Sequence, residues 1–289
     1  MKQFTTVAAL QQAVQAAKKE NKSIALVPTM GALHEGHLSL IHKAKSMCDI
    51  VVVSVFVNPI QFNNKEDLEK YPRNLEADCQ KLELANADYV FTPTVEEMYP
   101  TPVNKVYHFG PIEEVMEGPR RPGHFSGVAV VLNRLFDIVQ PDKAFFGEKD
   151  FQQIAIVREL LRQMNSKIEL VPCPIVRAAD GLAMSSRNMR LSADARAVAP
   201  TIYATLKEAL EMSKKHSVEE VKNWTLNTLS TFHESHQLPN GLKFEPEYFE
   251  IVNDTTLQPI KNWNDASGVV GCITVWLEGV RLIDMIHFR

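Results

Sequence analysis

Two histidines, His34 and His37, stand three residues apart with Gly36 between them. The apolar run at residues 24–27 before them is typical of a buried strand, and residues 38–47 carry apolar side chains at helical spacing. The pattern predicts a strand, a turn and two imidazoles on one face at the start of a helix. Free backbone N–H groups and the positive end of the helix dipole make such a place an anion site. We therefore expect a nucleotide phosphate here, in an enzyme that uses ATP.

A metal site is one alternative for this histidine pair. Zinc-protease helices carry two histidines four residues apart with a glutamate beside the first, whereas the spacing here is three. Histidines at helical spacing are also often ordinary surface or core residues. The position at a strand-to-helix turn that contains Gly31 and Gly36 favours a phosphate.

A second polar segment covers residues 176–188 and contains Ser185, Ser186 and Arg187. Two hydroxyl groups and a guanidinium would clamp a polyphosphate through charge-assisted hydrogen bonds, worth about 1.5–3 kcal/mol each. The alternative is that Ser185 or Ser186 only caps a helix, although residues 191–194 are the better candidate for the next helix start.

Lys149 lies in a further strand–turn–helix segment, residues 146–153. Its ammonium group would reach a phosphate as a point charge. Gln153 would lie on the face of the following helix, above the end of the sheet.

Asn58 and Gln61 follow another apolar run and offer uncharged hydrogen-bond donors, unless they only shape the turn that Pro59 forces. The basic, Gly-rich residues 120–127 open a helix. They are typical either of a solvated loop or of a mobile loop near an anionic substrate.

Strand and helix patterns alternate along the first half of the chain. The predicted strands cover residues 24–27, 50–57, 89–91, 143–146 and 168–171, and the helices between them cover 38–47, 75–84, 128–139 and 154–164; a further helix at 8–19 precedes the first strand. Residues 51–57 lack polar alternation, so both faces of that strand are expected to be covered. The pattern predicts an α/β fold, a Rossmann-like parallel sheet with helices on both faces. Ligands of such sheets bind beyond the carboxyl ends of the strands, where Met30, Asn58 and Gly147 fall.

The pattern changes after about residue 175. Two helices at 194–215 and 218–233 precede strands at 249–252, 269–277 and 282–286. Helices followed by consecutive strands predict a smaller α+β domain. We therefore expect two domains, residues 1–175 and 176–289.

Composition limits the class of protein further. The formal charge of −4 argues against a nucleic-acid binder that relies on bulk electrostatics. No apolar stretch approaches the roughly 18 residues that span a bilayer, and the amino end lacks the apolar core of a secretory signal. The 4 cysteines form no CxxC pair, so neither a metal site nor a redox site is expected. We expect a cytoplasmic protein with no membrane or nucleic-acid partner.

Six strings in order resemble one known family, the pantoate–β-alanine ligases (pantothenate synthetases). They are PTMGALHEGH at 28–37, FVNPIQF at 56–62, YPR at 71–73, RPGHFSGV at 121–128, FGEKDFQQ at 146–153 and GLAMSSRN at 181–188. This family belongs to a nucleotidyltransferase superfamily with an HxGH signature. The resemblance implies an ATP-dependent ligase that condenses (R)-pantoate with β-alanine to pantothenate. AMP and pyrophosphate would be released through a pantoyl-adenylate intermediate.

The resemblance also implies roles for individual residues. His37, His34 and Lys149 would be catalytic, and Gln61 and Gln153 would bind pantoate, with Gln61 also near β-alanine. The residues expected to bind ATP are Met30, Gly31, Ala32, Leu33, His34, Glu35, Gly36, His37, Gly147, Glu148, Lys149, Asp150, Val176, Met184, Ser185, Ser186 and Arg187. Family members are typically homodimers whose small carboxyl-terminal domain acts as a lid.

The chemistry of adenylation agrees with these roles. A substrate carboxylate can attack the α-phosphate directly, so no protein nucleophile is needed. Mg²⁺ would bridge the phosphate oxygens without a dedicated protein site, and Asp78 is one candidate for an outer contact to it.

Three other functions remain as alternatives. A nucleotidyltransferase acting on a phosphate ester would release pyrophosphate without an amine-dependent step. A nucleotide-sensing module would bind ATP without turnover, against which the intact His34, His37 and Lys149 weigh. An aminoacyl-tRNA synthetase is disfavoured by the acidic charge balance and by the absence of a recognisable tRNA-binding domain.

Overall fold

A computed structural model describes residues 1–236 and 238–289. The chain divides into two compact units. The first comprises Met1–Phe109, Arg120–Glu148 and Gln153–Pro174, and the second comprises Gly110–Pro119, Lys149–Gln152 and Ile175–Arg289. Two short segments from the first 175 residues thus group with the second unit, which the sequence pattern did not indicate.

The first unit is built on a parallel sheet. Its strands are β1 (Lys2–Phe4), β2 (Ile24–Thr29), β3 (Ile50–Val55), β4 (Tyr89–Phe91), β5 (Lys143–Gly147) and β6 (Glu169–Cys173). Their order is β1-β4-β3-β2-β5-β6, and every pair is parallel. The predicted Rossmann-like α/β sheet is therefore confirmed. The edge strand β1 was not predicted, because its sequence, Lys2-Gln3-Phe4, is mostly polar and exposed and shows no apolar run.

Helices cover the strands of this sheet. In chain order, the helices up to residue 163 are α1 (Val7–Lys19), α2 (Glu35–Lys45), α3 (Lys65–Glu69), α4 (Leu75–Leu84), α5 (Val95–Met98), α6 (Glu117–Arg120), α7 (His124–Val139) and α8 (Phe151–Gln163), and residues 117–119 of α6 belong to the second unit. Ala25 and Val27 of β2 pack in one core with α2 and α4. Leu26 points to the opposite face and is also fully buried, and α7 packs against β2 and α1. Both faces are covered, as predicted.

The second unit carries a three-stranded antiparallel sheet, in agreement with the predicted α+β character. Its elements are α9 (Ala193–Val198), α10 (Thr201–Met212), α11 (Val218–Ser230), α12 (Phe232–Ser235), β7 (Phe244–Asn253), β8 (Val269–Leu277) and β9 (Val280–His287). The sheet order is β7-β8-β9, with β8 and β9 joined by a tight turn at Glu278 and Gly279. The single helix predicted at 194–215 is wrong, because Pro200 separates α9 from α10.

Within the described ranges, none of the helices combines the length and the apolar character that crossing a membrane would require.

Candidate active site

A buried carboxylate holds the turn between β2 and α2. Gly31 and Ala32 have positive φ angles of 80° and 50°. Asp78 of α4, only 2% exposed, accepts the Ala32 N–H at its Oδ2 atom (2.8 Å) and the Leu33 N–H at its Oδ1 atom (2.7 Å). A Cβ atom at Gly31 would lie 2.9 Å from the Asp78 Oδ2 atom, so the turn needs glycine there. Asp78 therefore has a role in shaping this turn, which differs from the outer Mg²⁺ contact considered from sequence.

The two histidines lie at the start of α2, and their side chains accept hydrogen bonds from backbone N–H groups there. The His34 Nδ1 atom accepts the Gly36 N–H at 3.2 Å, and the His37 Nδ1 atom accepts the His34 N–H at 3.3 Å. Their ring centroids are 4.1 Å apart, which confirms that the imidazoles share one face. α2 starts three residues earlier than predicted because His34 is its N-cap.

These two hydrogen bonds determine the tautomers of both rings. A backbone N–H can only donate, so each Nδ1 atom is an acceptor and each neutral ring carries its proton on Nε2. The helix start therefore presents two Nε2–H donors where the helix dipole already favours an anion. Such an arrangement suits phosphate oxygens.

Gln61 lies in a short 3₁₀ turn, Pro59–Gln61, after β3, and only 9% of it is exposed. Its Nε2 atom is 3.2 Å from the Sδ atom of Met30, so the structure brings these two predicted site residues together. The turn presses against α7, where a Cβ atom at Gly127 would lie 2.6 Å from the Gln61 Cα atom.

The Gly-rich segment 120–127 contacts this turn and opens α7, as its sequence predicts; its second half is helical and is not part of a loop. His124 is 6% exposed and starts α7, four residues before the predicted helix start. Its Nδ1 atom lies 2.9 Å from the carbonyl oxygen of Gln61, and its Nε2 atom lies 3.0 Å from an Arg121 nitrogen. Since a carbonyl only accepts and a guanidinium only donates, His124 is neutral with its proton on Nδ1.

Three further predicted site residues lie at the end of β5 or just after it. Gly147 is its last residue, Glu148 opens a 3₁₀ turn, and Gln153 lies half-buried in the first turn of α8. The next residue after Glu148, Lys149, belongs to the second unit. Its Nζ atom lies 3.2 Å from an Asp150 carboxylate oxygen, and the Lys149 side chain is 17% exposed.

In the second unit, residues 176–184 form a narrow hairpin. The Met184 N–H donates to the Val176 carbonyl at 3.0 Å, which places these two predicted nucleotide contacts side by side. Arg177 anchors the hairpin to β9 through two hydrogen bonds to Asp284, of 2.6 and 2.8 Å. Its guanidinium also stacks 3.4 Å from the ring centroid of Tyr203. The local sequence gave no sign of this anchor, because Arg177 and Asp284 are more than a hundred residues apart.

The serine–arginine segment begins a 3₁₀ helix, Ser186–Arg190. The Ser185 Oγ atom accepts the Arg187 N–H at 3.3 Å, so the capping interpretation is confirmed for Ser185. The hydroxyl proton of Ser185 can still donate to a ligand. Ser192 caps α9 in turn, as residues 191–194 predicted.

Across residues 1–236 and 238–289, no group of three or more His, Cys, Asp or Glu side chains is arranged to hold a metal ion. Within the first unit, the Nε2–H groups of His34 and His37 suit hydrogen bonds to phosphate oxygens. Within the second unit, Lys149 and Arg187 carry positive charge that suits an anionic ligand.

The Asp78 contacts lead to a stability prediction. In Asp78→Asn, one of the two charge-assisted bonds is lost and an amide NH₂ faces a backbone N–H donor. We expect the free energy of unfolding to fall by about 2–3 kcal/mol in urea titrations. Glu76 is exposed on the same helix, and the control variant Glu76→Gln should change the free energy of unfolding by less than about 0.5 kcal/mol. Equal stability of the two variants would contradict the role given to Asp78.

Comparison with known proteins identifies the family of this chain. The family model described as pantoate-beta-alanine ligase matches residues 2–287. A protein named pantothenate synthetase from Porphyromonas gingivalis is 51% identical over 289 residues, covering 100% of both chains.

Two solved structures are similar over the full chain. Pantothenate synthetase from Thermus thermophilus has a TM-score of 0.90 at 41% identity, covering 100% of this chain and 99% of that one. Pantoate-beta-alanine ligase from Francisella tularensis, complexed with beta-gamma ATP and beta-alanine, has a TM-score of 0.81 at 32% identity, covering 100% and 98%. The family model and these full-length similarities in sequence and fold show that the chain belongs to the pantoate–β-alanine ligase family.

Proposed function

We propose that this chain condenses (R)-pantoate with β-alanine to give pantothenate, using ATP and releasing AMP and pyrophosphate. The observation that carries the proposal is the pair of Nε2–H donors at the start of α2, in a chain that matches the ligase family over residues 2–287. The Francisella tularensis relative, which is complexed with beta-gamma ATP and beta-alanine, supports the assignment of two of the substrates.

The first chemical step is adenylation of pantoate. The pantoate carboxylate attacks the α-phosphorus of ATP, a new P–O bond forms, and the bond to the bridging oxygen of the β-phosphate breaks. Pyrophosphate leaves and pantoyl adenylate remains. The protein has to align two anions and stabilise the charge that builds on the phosphates, which needs no protein nucleophile.

His34 and His37 are proposed to donate their Nε2–H groups to the phosphates. The hydrogen bonds at their Nδ1 atoms hold both rings in the required tautomer before ATP binds. His37 is the main catalytic group, since its Nε2–H group can stabilise the negative charge on the leaving pyrophosphate through a hydrogen bond.

The other nucleotide contacts are proposed residue by residue. Lys149 supplies a positive charge to a phosphate, and Ser185, Ser186 and Arg187 bind phosphate oxygens through hydroxyl and guanidinium donors. Val176 contacts adenine through its backbone. The remaining ATP-binding residues are Met30, Gly31, Ala32, Leu33, Glu35, Gly36, Gly147, Glu148, Asp150 and Met184.

Gln61 and Gln153 are proposed to bind pantoate, and Gln61 also lies near β-alanine. Neutral carboxamides suit a substrate that carries hydroxyl groups in addition to its carboxylate. In the second step, the β-alanine amine attacks the acyl carbon of pantoyl adenylate. The new amide bond forms as AMP leaves. Because water would hydrolyse the acyl adenylate, a closing carboxyl-terminal lid would protect it.

Mg²⁺ is proposed to arrive with ATP as part of the substrate, bound to the phosphate oxygens. Both oxygens of the Asp78 carboxylate already accept a backbone N–H group, so its observed role is to hold the turn, and the outer contact to Mg²⁺ considered from sequence stays a prediction. We further propose a cytoplasmic homodimer, as the family resemblance implies.

Isotope exchange between pyrophosphate and ATP tests the proposed function. Because adenylation needs only pantoate, we expect exchange with ATP and pantoate present and β-alanine absent. Exchange that does not need pantoate would contradict this order of steps. Absence of exchange with pantoate would favour a nucleotide-sensing module, and exchange that requires a phosphate ester would favour a nucleotidyltransferase.

The variant His37→Asn tests the donor role of His37. Its amide oxygen can replace the Nδ1 acceptor for the His34 N–H, while the Nε2–H donor is lost. We expect pantoate-dependent exchange to fall by about 10²–10³-fold, with little change in melting temperature. The exposed His42→Asn on the same helix is the matched control and should exchange at the wild-type rate. A His37→Asn protein as active as that control would remove His37 from the mechanism.

A further inference from the structure

The orientation of the Asn58 carboxamide is determined by two backbone groups. Its Nδ2 atom lies 3.1 Å from the carbonyl oxygen of Gly127, which can only accept a hydrogen bond. Its Oδ1 atom lies 3.3 Å from the Ile60 N–H, which can only donate one. Asn58 is 1% exposed, so solvent offers no other partners. The nitrogen and oxygen ends of this side chain are therefore not interchangeable.

The orientation of Asn58 in turn determines the orientation of the Gln61 carboxamide. The Asn58 Nδ2 atom also lies 3.1 Å from the Gln61 Oε1 atom, which must therefore be the acceptor. The NH₂ group of Gln61 then points the other way, toward Met30 just after the carboxyl end of β2. At this edge of the sheet, where ligands of parallel sheets bind, Gln61 offers hydrogen-bond donors. Its preferred partners are acceptor oxygens, such as those of a carboxylate or a hydroxyl group.

Tyr99 is the third member of this chain of hydrogen bonds. Its hydroxyl group lies 2.9 Å from the Asn58 Oδ1 atom, a shorter contact than that of the Ile60 N–H. Burial raises the pKa of Tyr99, outweighing the lowering effect of Arg134, so the phenol stays protonated and donates. The ring packs edge-on against Phe56, with centroids 6.1 Å apart, which fixes the position of the hydroxyl group.

We propose that Tyr99 is a positioning residue for pantoate, acting through Asn58 to keep the NH₂ group of Gln61 toward the substrate. This inference rests on the proposed function, in which Gln61 binds pantoate. Without the Tyr99 hydroxyl, the Asn58 oxygen keeps only the longer bond from the Ile60 N–H. Asn58 then holds the Gln61 carboxamide less firmly, and the NH₂ group of Gln61 is less well directed toward the acceptor oxygens of pantoate. ATP binding should be unaffected by this loss.

The variant Tyr99→Phe removes one hydroxyl group and keeps the ring that packs on Phe56. In the pyrophosphate–ATP exchange assay, we expect the KM for pantoate to rise by about 5–20-fold and the KM for ATP to change by less than about 2-fold. Both constants come from one preparation and do not depend on the fraction of folded protein. The matched control is Tyr89→Phe in β4, which should leave both constants at their wild-type values.

A double-mutant cycle with Gln61→Ala shows whether Tyr99 acts through Gln61. In the Gln61→Ala background, Tyr99→Phe should raise the KM for pantoate no further. The inference would be overturned if Tyr99→Phe raised it by the same factor in both backgrounds, raised the KM for ATP equally, or left the KM for pantoate unchanged. Wild-type protein without pantoate-dependent exchange would instead overturn the proposed function, and this inference with it.

Discussion

Two backbone N–H groups at the first turn of α2 determine which nitrogen of each paired imidazole can donate a hydrogen bond. They donate to the Nδ1 atoms of His34 and His37, which leaves the proton of each neutral ring on Nε2. The turn that sets up this geometry depends on the buried carboxylate of Asp78, which accepts two more backbone N–H bonds. Both imidazoles are thus oriented before any ligand binds, which is what the proposed contacts to phosphate require.

Features with a local cause were predicted well from the sequence. The apolar runs of the strands predicted the parallel sheet, and the strand-to-helix turn predicted that His34 and His37 share one face. The predicted ends of helices were less accurate where a capping residue determines them. α2 starts at Glu35 because His34 caps it, and the apolar pattern, which begins only at residue 38, does not show this cap.

Features that depend on distant contacts could not be predicted. Asp78 meets a turn more than forty residues earlier in the chain, and nothing in its helix distinguishes it from a surface acid. The orientation of Gln61 is determined by Asn58, and the orientation of Asn58 depends in turn on the carbonyl of Gly127, 69 residues further along the chain. Periodicity reports which face of an element is buried, but not which polar atoms meet in the core. The grouping of residues 110–119 with the second unit was missed for the same reason.

The most direct measurement of the central claim is the tautomeric state of the two histidines, read from long-range ¹H–¹⁵N correlation spectra of the ligand-free protein. Spectra recorded at a pH where both rings are neutral should show His34 and His37 protonated at Nε2, with Nδ1 as the bare nitrogen. The single-residue variants His34→Asn and His37→Asn would assign the signals. A proton on Nδ1 of either ring would contradict the account, because that ring could not accept the backbone N–H bond that orients it.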